Sequence, residues 1–168
     1  HQSTNILGSN SGLQFDNAGA SAGTSRLTLD APGAYVFFSN GATAANATIK
    51  SNGGRLYFYG SSSGGSATVI NNGGLLYLQD ATDLSGATVQ NNTGGQLFVN
   101  GVATSVSVGS LSGKGNVTLG AKNPTVGALG RDDALSGIIS DQGLANLDAV
   151  LVPYNSAVTA TGGSLTKI

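Results

Sequence analysis

The sequence predicts an all-β protein, a parallel β-helix made of coils of about 20 residues. The first observation is a repeat, in which Ala47-Thr48-Ile49, Ala67-Thr68-Val69 and Ala87-Thr88-Val89 recur every 20 residues. Each triplet leads into an Asn-Gly-Gly turn or a near copy, and then into a second apolar run such as Leu56-Tyr57-Phe58. The second observation is that apolar residues within a run lie two positions apart, which is the period of a strand. Such repeats are typical of a solenoid, because each coil buries its apolar face only by stacking on its neighbours.

We interpret the 168 residues as a single domain with three zones. Residues 1–26 form irregular first coils, residues 27–100 form the regular coils, and residues 101–168 keep short apolar runs but lose the strict period. Residues 141–161 stand apart within the last zone as an insertion. Their leucine spacing favours a short helix near 142–152, although 149–152 would also suit a strand. Because the chain starts at His and stops within an apolar pattern, we expect it to be a segment of a longer protein.

Composition and charge exclude several kinds of function. The net charge is −1 and the seven Lys and Arg residues are scattered, so we expect neither a nucleic-acid surface nor an anionic-membrane surface. All eight acidic residues are Asp, which removes many carboxylate motifs that use Glu. Cys is absent, so disulfides and thiolate metal sites do not hold the fold, and the chain is compatible with secretion. There is also no apolar run of transmembrane length.

Three segments of the last zone occur in an order that resembles the late passenger segment of bacterial autotransporters. They are Leu-Ser-Gly-Lys-Gly-Asn-Val-Thr-Leu-Gly at 111–120, Thr-Val-Gly-Ala-Leu at 125–129 and Leu-Ser-Gly-Ile-Ile-Ser at 135–140. The closing Gly-Ser-Leu-Thr-Lys-Ile resembles the start of that family's passenger-associated repeat, and the Ala-Thr-Val-x-Asn-Asn-Gly-Gly coils are similar to repeats of autotransporter adhesins. Residues 141–161 depart from the family, in which the last two elements usually lie only a few residues apart.

The resemblance covers nearly the whole chain, and it carries expectations about function. It implies a right-handed β-helix that leaves a Gram-negative bacterium by type V secretion and is displayed on, or released from, the cell surface. It also implies a non-enzymatic stalk or adhesin segment without a cofactor. The expected partner is a host surface glycan or protein, or another copy of the chain.

Catalytic motifs are weak in this sequence. Residues 60–64 match G-x-S-x-G, but that motif needs a strand-to-helix elbow and a His partner, and the sole His is His1. The alternative function is a polysaccharide-active β-helix enzyme, for which the candidate groups are Asp80 with Asp83, and Arg131 with Asp132 and Asp133. Asp in a turn commonly caps its own backbone, and residues 131–133 suit a solvated loop tip. We therefore predict no catalytic site and no metal site.

An aromatic column is the predicted ligand or self-association face. Successive side chains of a strand point to opposite faces, so if Leu56 and Phe58 point inward, one aromatic residue per coil points outward. The four residues are Phe37, Tyr57, Tyr77 and Phe98. Such a column could dock a glycan, a host protein or a second copy. Alternatively, the rings only stack and stiffen the sheet, or another part of the chain, such as residues 141–161, covers them.

Other equivalent positions are expected to stack as well. Ala47, Ala67 and Ala87, and Ile49, Val69 and Val89, would stack inside, whereas Asn52, Asn72 and Asn92 would form an amide ladder that satisfies backbone groups at the turns. Thr28, Thr48, Thr68 and Thr88 would form an outer polar column. A regular Thr array raises a second alternative function, an ice-binding β-solenoid. One Thr per coil with variable neighbours argues against it.

Overall fold

The computed structural model describes residues 4–141 and 161–168, and it confirms the predicted fold class. The described residues form a parallel β-solenoid of about six turns, with about 21 residues in each coil. They contain no helix, and hence none long and apolar enough to cross a membrane. The short helix predicted near 142–152 lies outside the described residues.

The first eight strands build the N-terminal half and the regular body. They are β1 (Thr4–Leu7), β2 (Gly12–Asp16), β3 (Arg26–Leu29), β4 (Tyr35–Ser39), β5 (Thr48–Ser51), β6 (Arg55–Phe58), β7 (Thr68–Asn71) and β8 (Leu75–Asp80). The remaining strands are β9 (Leu84–Asn91), β10 (Gln96–Val102), β11 (Ser107–Ser112), β12 (Asn116–Thr118), β13 (Thr125–Val126), β14 (Ile139–Ser140) and β15 (Thr166–Lys167).

The strands alternate between two parallel sheets, as expected for a coil that visits each sheet once per turn. The first sheet contains the eight odd-numbered strands in the order β1-β3-β5-β7-β9-β11-β13-β15. The second sheet contains the seven even-numbered strands in the order β2-β4-β6-β8-β10-β12-β14. Every strand therefore pairs only with the equivalent strands of adjacent coils, so contacts between coils are local along the axis.

Side chains that the repeat predicted to be equivalent lie directly above one another in the regular coils. In the first sheet Ile49 pairs with Val69, and Val69 pairs with Val89. In the second sheet Leu56 pairs with Leu76, and Leu76 pairs with Leu97. All of these side chains are buried in one continuous core, together with the alanines at 47, 67 and 87. The predicted like-on-like stacking of the interior is thus confirmed.

The register becomes irregular near residue 100, where the strict period was predicted to end. The pairing of β8 with β10 shifts between Phe98 and Gly101, and the pairing of β9 with β11 shifts between Val108 and Ser110. Each shift inserts extra residues on one strand, which locally bends the ladder. The later strands are short, as in β13 and β14, which have two residues each.

Glycine is required in the Gly pairs of the repeat because the turn between the two sheets leaves no room for a Cβ atom at the second position. The second glycine of each pair is buried against the coil below. A Cβ on Gly74 would collide with the side chain of Ser51 and the carbonyl oxygen of Gly54. A Cβ on Gly95 would lie 2.6 Å from the amide oxygen of Asn91. Only glycine lets successive turns approach at the spacing of paired strands.

Two asparagine ladders run beside these turns, and only one of them was predicted. Asn72 donates to the amide oxygen of Asn52 at 3.0 Å, and Asn92 donates to that of Asn72 at 2.8 Å, which confirms the predicted ladder at the surface. The turn backbone is instead satisfied by a second, buried ladder. There Asn71 donates to Asn91 at 2.9 Å and accepts from the backbone N–H of Gly74 at 2.9 Å.

The outer Thr column differs from the prediction by one member. Thr48, Thr68 and Thr88 are paired in register, and the column continues to Ser110. Thr28, however, pairs with Lys50 and not with Thr48. The turn between β3 and β4 spans residues 30–34, whereas the equivalent turn between β5 and β6 spans only residues 52–54. The longer turn offsets the earlier coil, so Thr28 falls into a neighbouring column.

The inward and outward assignment can be tested with a pair of adjacent substitutions. Val69 is buried between Ile49 and Val89, so Val69→Asp places an unpaired charge in the core and should cost about 3–5 kcal/mol of unfolding free energy. Thr68→Asp is the matched control on the half-buried outer side and should cost about 0.5 kcal/mol. Urea unfolding followed by circular dichroism measures both. Equal losses would contradict the assignment.

The buried asparagine ladder should contribute more to the unfolding free energy of the protein than the outer ladder does. Asn71→Ala leaves the buried N–H of Gly74 without its partner, and we expect a loss of about 1–3 kcal/mol. Asn72→Ala removes one exposed and one part-buried hydrogen bond between side chains and should cost about 0.5 kcal/mol. The comparison uses the midpoint of urea unfolding for each variant. A larger loss for Asn72→Ala would show that the outer ladder holds the turns.

Candidate functional site

The predicted aromatic column exists as a stack of rings on the second sheet. Phe37 pairs with Tyr57, Tyr57 with Tyr77, and Tyr77 with Phe98, on strands β4, β6, β8 and β10. The ring centroids of Tyr57 and Tyr77 are 4.8 Å apart and those of Tyr77 and Phe98 are 4.9 Å apart, with nearly parallel planes. Phe37 tilts by 48° against Tyr57 at 5.7 Å. We call these four residues the outer aromatic ladder.

The ladder points away from the main core, as strand alternation predicted, but most of it is buried. Tyr57 is 1% exposed, Tyr77 4% and Phe98 7%. They form a second apolar cluster, separate from the core between the sheets, and the partly buried residues Tyr35, Phe37 and Leu75 pack against it. This burial agrees with the alternative in which the rings stack or are covered, and the assignment of the four residues as a ligand or self-association face stays a prediction. The three buried rings form a second core.

The accessible end of the ladder lies at Phe37. This ring is half-buried, and the half-buried ring of Tyr59 lies 6.0 Å from it. Tyr35, also half-buried, lies two positions before Phe37 on β4. These three rings, which we call the open aromatic end, combine an apolar body with two phenol groups. Such a surface suits contact with a sugar ring or with an apolar side chain of a partner.

A second aromatic ladder, inside the solenoid, was not predicted as a unit. Phe15 stacks on Phe38 at 4.8 Å, and Phe38 stacks on Phe58 at 5.0 Å, with planes within 9° of parallel. The sequence did carry its signal, because Leu13 and Phe15 have the same spacing as Leu56 and Phe58. This inner ladder holds the irregular first coils onto the regular body.

The carboxylates proposed for polysaccharide chemistry are engaged in the turns between coils. Asp80 accepts a hydrogen bond from the backbone N–H of Gly60 in the preceding coil at 3.3 Å. Asp83 accepts from the backbone N–H of Ser85 at 2.9 Å and from its hydroxyl at 3.1 Å. These contacts agree with the interpretation that turn Asp residues cap the backbone.

Asp133 differs from the solvated loop tip that the sequence suggested. Its side chain is 6% exposed, and it accepts hydrogen bonds from the Ser110 hydroxyl at 2.6 Å and the Leu111 backbone N–H at 3.3 Å. Lys167 lies 3.6 Å away and completes an ion pair. Only Arg131 and Asp132 are exposed, as predicted for the tip. Sequence spacing could not reveal this contact, because its partners lie 22 or more residues away in other coils.

The serine motif at 60–64 lies in a turn of the solenoid. Its central Ser62 is fully buried, and its hydroxyl lies 3.4 Å from the hydroxyl of Thr82. Thr82 in turn donates to the backbone carbonyl of Ser62 at 3.0 Å. The described chain around Ser62 contains no helix that could form a nucleophile elbow. This geometry makes Ser62 part of a buried hydroxyl pair between coils.

Within residues 4–141 and 161–168, no three His, Cys or acidic side chains come together as a metal site.

The outer Thr column offers little exposed surface. Thr88 and Ser110 are buried, so only Thr48 and Thr68 of the column are partly exposed. The arrangement therefore offers stacked polar and aromatic columns on its sides.

Comparison with known proteins gives no assignment: no protein-family model, curated protein or solved structure matches the chain.

Asp16 gives a pH test of these carboxylate contacts. The Ser39 hydroxyl and then the Asn40 amide donate to Asp16 at 2.5 and 2.6 Å, and they hold the pKa of its carboxyl below the usual 3.8. A lowered pKa in the folded state means that the contact stabilises the protein fully above the usual pKa, and that the contribution is lost as pH falls through the folded pKa.

We therefore expect wild type to exceed Asp16→Asn in urea midpoint at neutral pH, and the difference to shrink as pH falls below about 4. Ser39→Ala removes the main donor and should reduce the same difference. Midpoints measured from pH 7 to pH 2 make the comparison. A difference that is constant over this range would contradict a role for the ionised carboxylate.

Proposed function

We propose that this chain is a non-enzymatic β-helical stalk or adhesin segment of a secreted, surface-displayed protein of the autotransporter passenger type. In this proposal the stacked coils form a rigid rod. The rod holds a contact surface away from the bacterial cell, where it meets a host surface or a sister cell. Its mechanism is mechanical and interfacial.

The observation that carries the proposal is that polar side chains form hydrogen bonds between successive coils. Asp16, Asp30, Asp80 and Asp133 each accept hydrogen bonds from residues of another coil. The buried asparagines and hydroxyls likewise bridge successive coils. Groups held this way stiffen the rod, and general acid–base chemistry would require some of them to be free to exchange protons with a substrate.

The local topology supports passage through a membrane followed by folding outside. Every strand pairs only with neighbouring coils, so a chain that emerges end first could add one coil at a time. The absence of Cys means that no disulfide forms before or during transport. The order of the sequence segments, from the Ala-Thr-Val repeats to the closing Gly-Ser-Leu-Thr-Lys, remains the reason to name the autotransporter passenger.

The open aromatic end is the surface that we assign to adhesive contact. Phe37, Tyr35 and Tyr59 are half-buried aromatic residues, and the rings of Phe37 and Tyr59 lie 6.0 Å apart. Aromatic residues are enriched at contact surfaces because they bury a large area with few rotatable bonds.

A double variant tests this assignment. Phe37→Ser/Tyr59→Ser should abolish binding of the chain to a panel of immobilised glycans and matrix proteins, or abolish its concentration-dependent self-association in sedimentation velocity. Ile70→Ser is the matched control, because Ile70 is a half-buried apolar residue on the outer side of the first sheet. The control should leave binding unchanged.

Three results would contradict the proposal. Binding that survives in the double variant would place the adhesive surface elsewhere. A wild-type chain that binds no probe and stays monomeric would contradict adhesion by this segment. Cleavage of an acidic or neutral polysaccharide by wild type, lost in Asp132→Asn, would favour the enzymatic alternative.

A further inference from the structure

The open aromatic end lies beside exposed polar residues of the neighbouring strand β2. Gln14 pairs with Phe37, and two positions later Asp16 pairs with Ser39. Gln14 and Asp16 are exposed, and between them Phe15 packs against the core. Because successive side chains of a strand point to opposite faces, Gln14 and Asp16 stand on the same outer side as the ring of Phe37. The rings and these two polar groups therefore share one surface.

Tyr35 extends the aromatic surface to the level of β2. It pairs with Gly12, and a Cβ atom on Gly12 would collide with the ring of Tyr35. This ring thus occupies the space that a side chain at position 12 would fill, on the same strand as Gln14. On the other side of Phe37, Tyr59 directly follows β6 and places its ring 6.0 Å from that of Phe37. The aromatic surface therefore reaches the polar residues of β2.

The carboxylate of Asp16 is held in place by the coil that carries Phe37. The Ser39 hydroxyl donates to Oδ1 of Asp16 at 2.5 Å, and the Asn40 side-chain amide donates to the same oxygen at 2.6 Å. These donors hold the pKa of the carboxyl below its usual value, so the group is ionised at neutral pH. Within the described residues, Oδ2 accepts no hydrogen bond. One oxygen thus positions the carboxylate, and the other is free to accept from a ligand.

Given the adhesive role assigned to the open aromatic end, we propose that Phe37, Tyr35, Tyr59, Gln14 and Asp16 bind one ring of a neutral glycan. We call these five residues the sugar site. A pyranose has C–H groups on its faces and hydroxyl groups around its edge. The C–H groups carry partial positive charge and pack on the negative face of the Phe37 ring. The edge hydroxyls donate to Oδ2 of Asp16 and exchange hydrogen bonds with the Gln14 amide.

The surroundings of Phe37 favour a small polar ligand over a protein surface. Along the solenoid axis its neighbour on one side, Gln14, is exposed and polar, whereas its neighbour on the other side, Tyr57, is 1% exposed. The apolar area that a partner can cover is thus limited to rings that are already half-buried. Stable protein–protein interfaces bury about 800 Å² on each partner around an apolar centre. A sugar needs one ring face and a few hydrogen-bonding groups.

The charge of the sugar site favours a neutral glycan over an acidic one. Asp16 is exposed and ionised, whereas its outward neighbours Gln14, Tyr35 and Phe37 carry no charge. Arg55, which pairs with Tyr35 on β6, is half-buried. A carboxylate or sulfate group of a ligand would be repelled by Asp16 at contact distance. A hydroxyl group instead forms a charge-assisted hydrogen bond with it.

Binding of the full chain to a panel of probes tests the proposal. The panel contains oligosaccharides of glucose, galactose and mannose, the acidic polysaccharides polygalacturonate and heparin, and the matrix proteins collagen and fibronectin. We expect wild type to bind a neutral oligosaccharide, and to bind both acidic polysaccharides more weakly. In saturation-transfer NMR, selective saturation of the aromatic protons should reach the C–H protons of the bound sugar ring.

Substitutions at Phe37 and Asp16 separate a sugar from other partners. Phe37→Leu keeps an apolar side chain but removes the flat ring, so we expect about tenfold weaker sugar binding, whereas Phe37→Trp should retain it. Asp16→Asn keeps the shape of the side chain and removes its charge, and should also weaken sugar binding about tenfold. Asp30→Asn is the matched control and should leave binding unchanged. Asp30 is exposed and accepts from Asn52 at 2.6 Å, but it follows β3 in the first sheet.

The outcomes distinguish the sugar site from the adhesive role on which it rests. Sugar binding that survives both Phe37→Leu and Asp16→Asn would overturn the sugar site, and so would a preference for polygalacturonate or heparin. Binding to a matrix protein or to a second copy, without sugar binding and unchanged in Asp16→Asn, would overturn the sugar as ligand and leave the adhesive role. A wild-type chain that binds no probe and stays monomeric would contradict both. Circular dichroism verifies that each variant is folded.

Discussion

The constraint on which this structure depends is the parallel register between successive coils. Backbone hydrogen bonds of a parallel sheet fix which residue stands above which, and a repeat of 20 residues brings the same residue type to the same place in each coil. A favourable contact at one level is therefore repeated at the next. The same rule multiplies an unfavourable contact, so buried polar positions are occupied by groups that can bond to their own copies. Asn71 with Asn91 and Ser62 with Thr82 are of this kind.

Stacking of like residues also explains why charged residues are rare in this chain, at 9% of the sequence. A column of identical charges about 4.8 Å apart would repel along its whole length, whereas amides and hydroxyls donate to one neighbour and accept from the next. Asp30 stands at the end of the outer asparagine ladder, where its carboxylate accepts from Asn52 at 2.6 Å. Carboxylates fit at the ends of such columns, and the chain places Asp133 in the same way beside Ser110.

The repeat in the sequence was enough to predict the stacked columns, whereas features that depend on turn length or on distant contacts were missed. The inner columns at Ile49, Val69 and Val89 and the direction of the outer aromatic ladder followed from the periods of 20 and two. Thr28 was misplaced because the turn at 30–34 is longer than its counterpart at 52–54. Asn71 points inward because it lies two positions after the inward Val69 on β7, so the period of two carried a signal for the buried ladder that the prediction did not use. The contacts of Asp133 are made with Ser110 and Leu111, 22 or more residues away, and a local pattern cannot supply their positions.

The outer aromatic ladder shows why exposure, and not orientation, decides whether an aromatic column is a site. Tyr57 and Phe37 point to the same side of the same sheet and their rings lie 5.7 Å apart, yet Tyr57 is buried and Phe37 is half-buried. A covered ring adds to folding free energy through the area it buries, and it is lost to any partner. An uncovered ring leaves apolar area in water, which a partner can remove. Phe37 and Tyr57 thus differ in burial although both belong to one column, and of the two Phe37 retains ring area that a partner could remove from water.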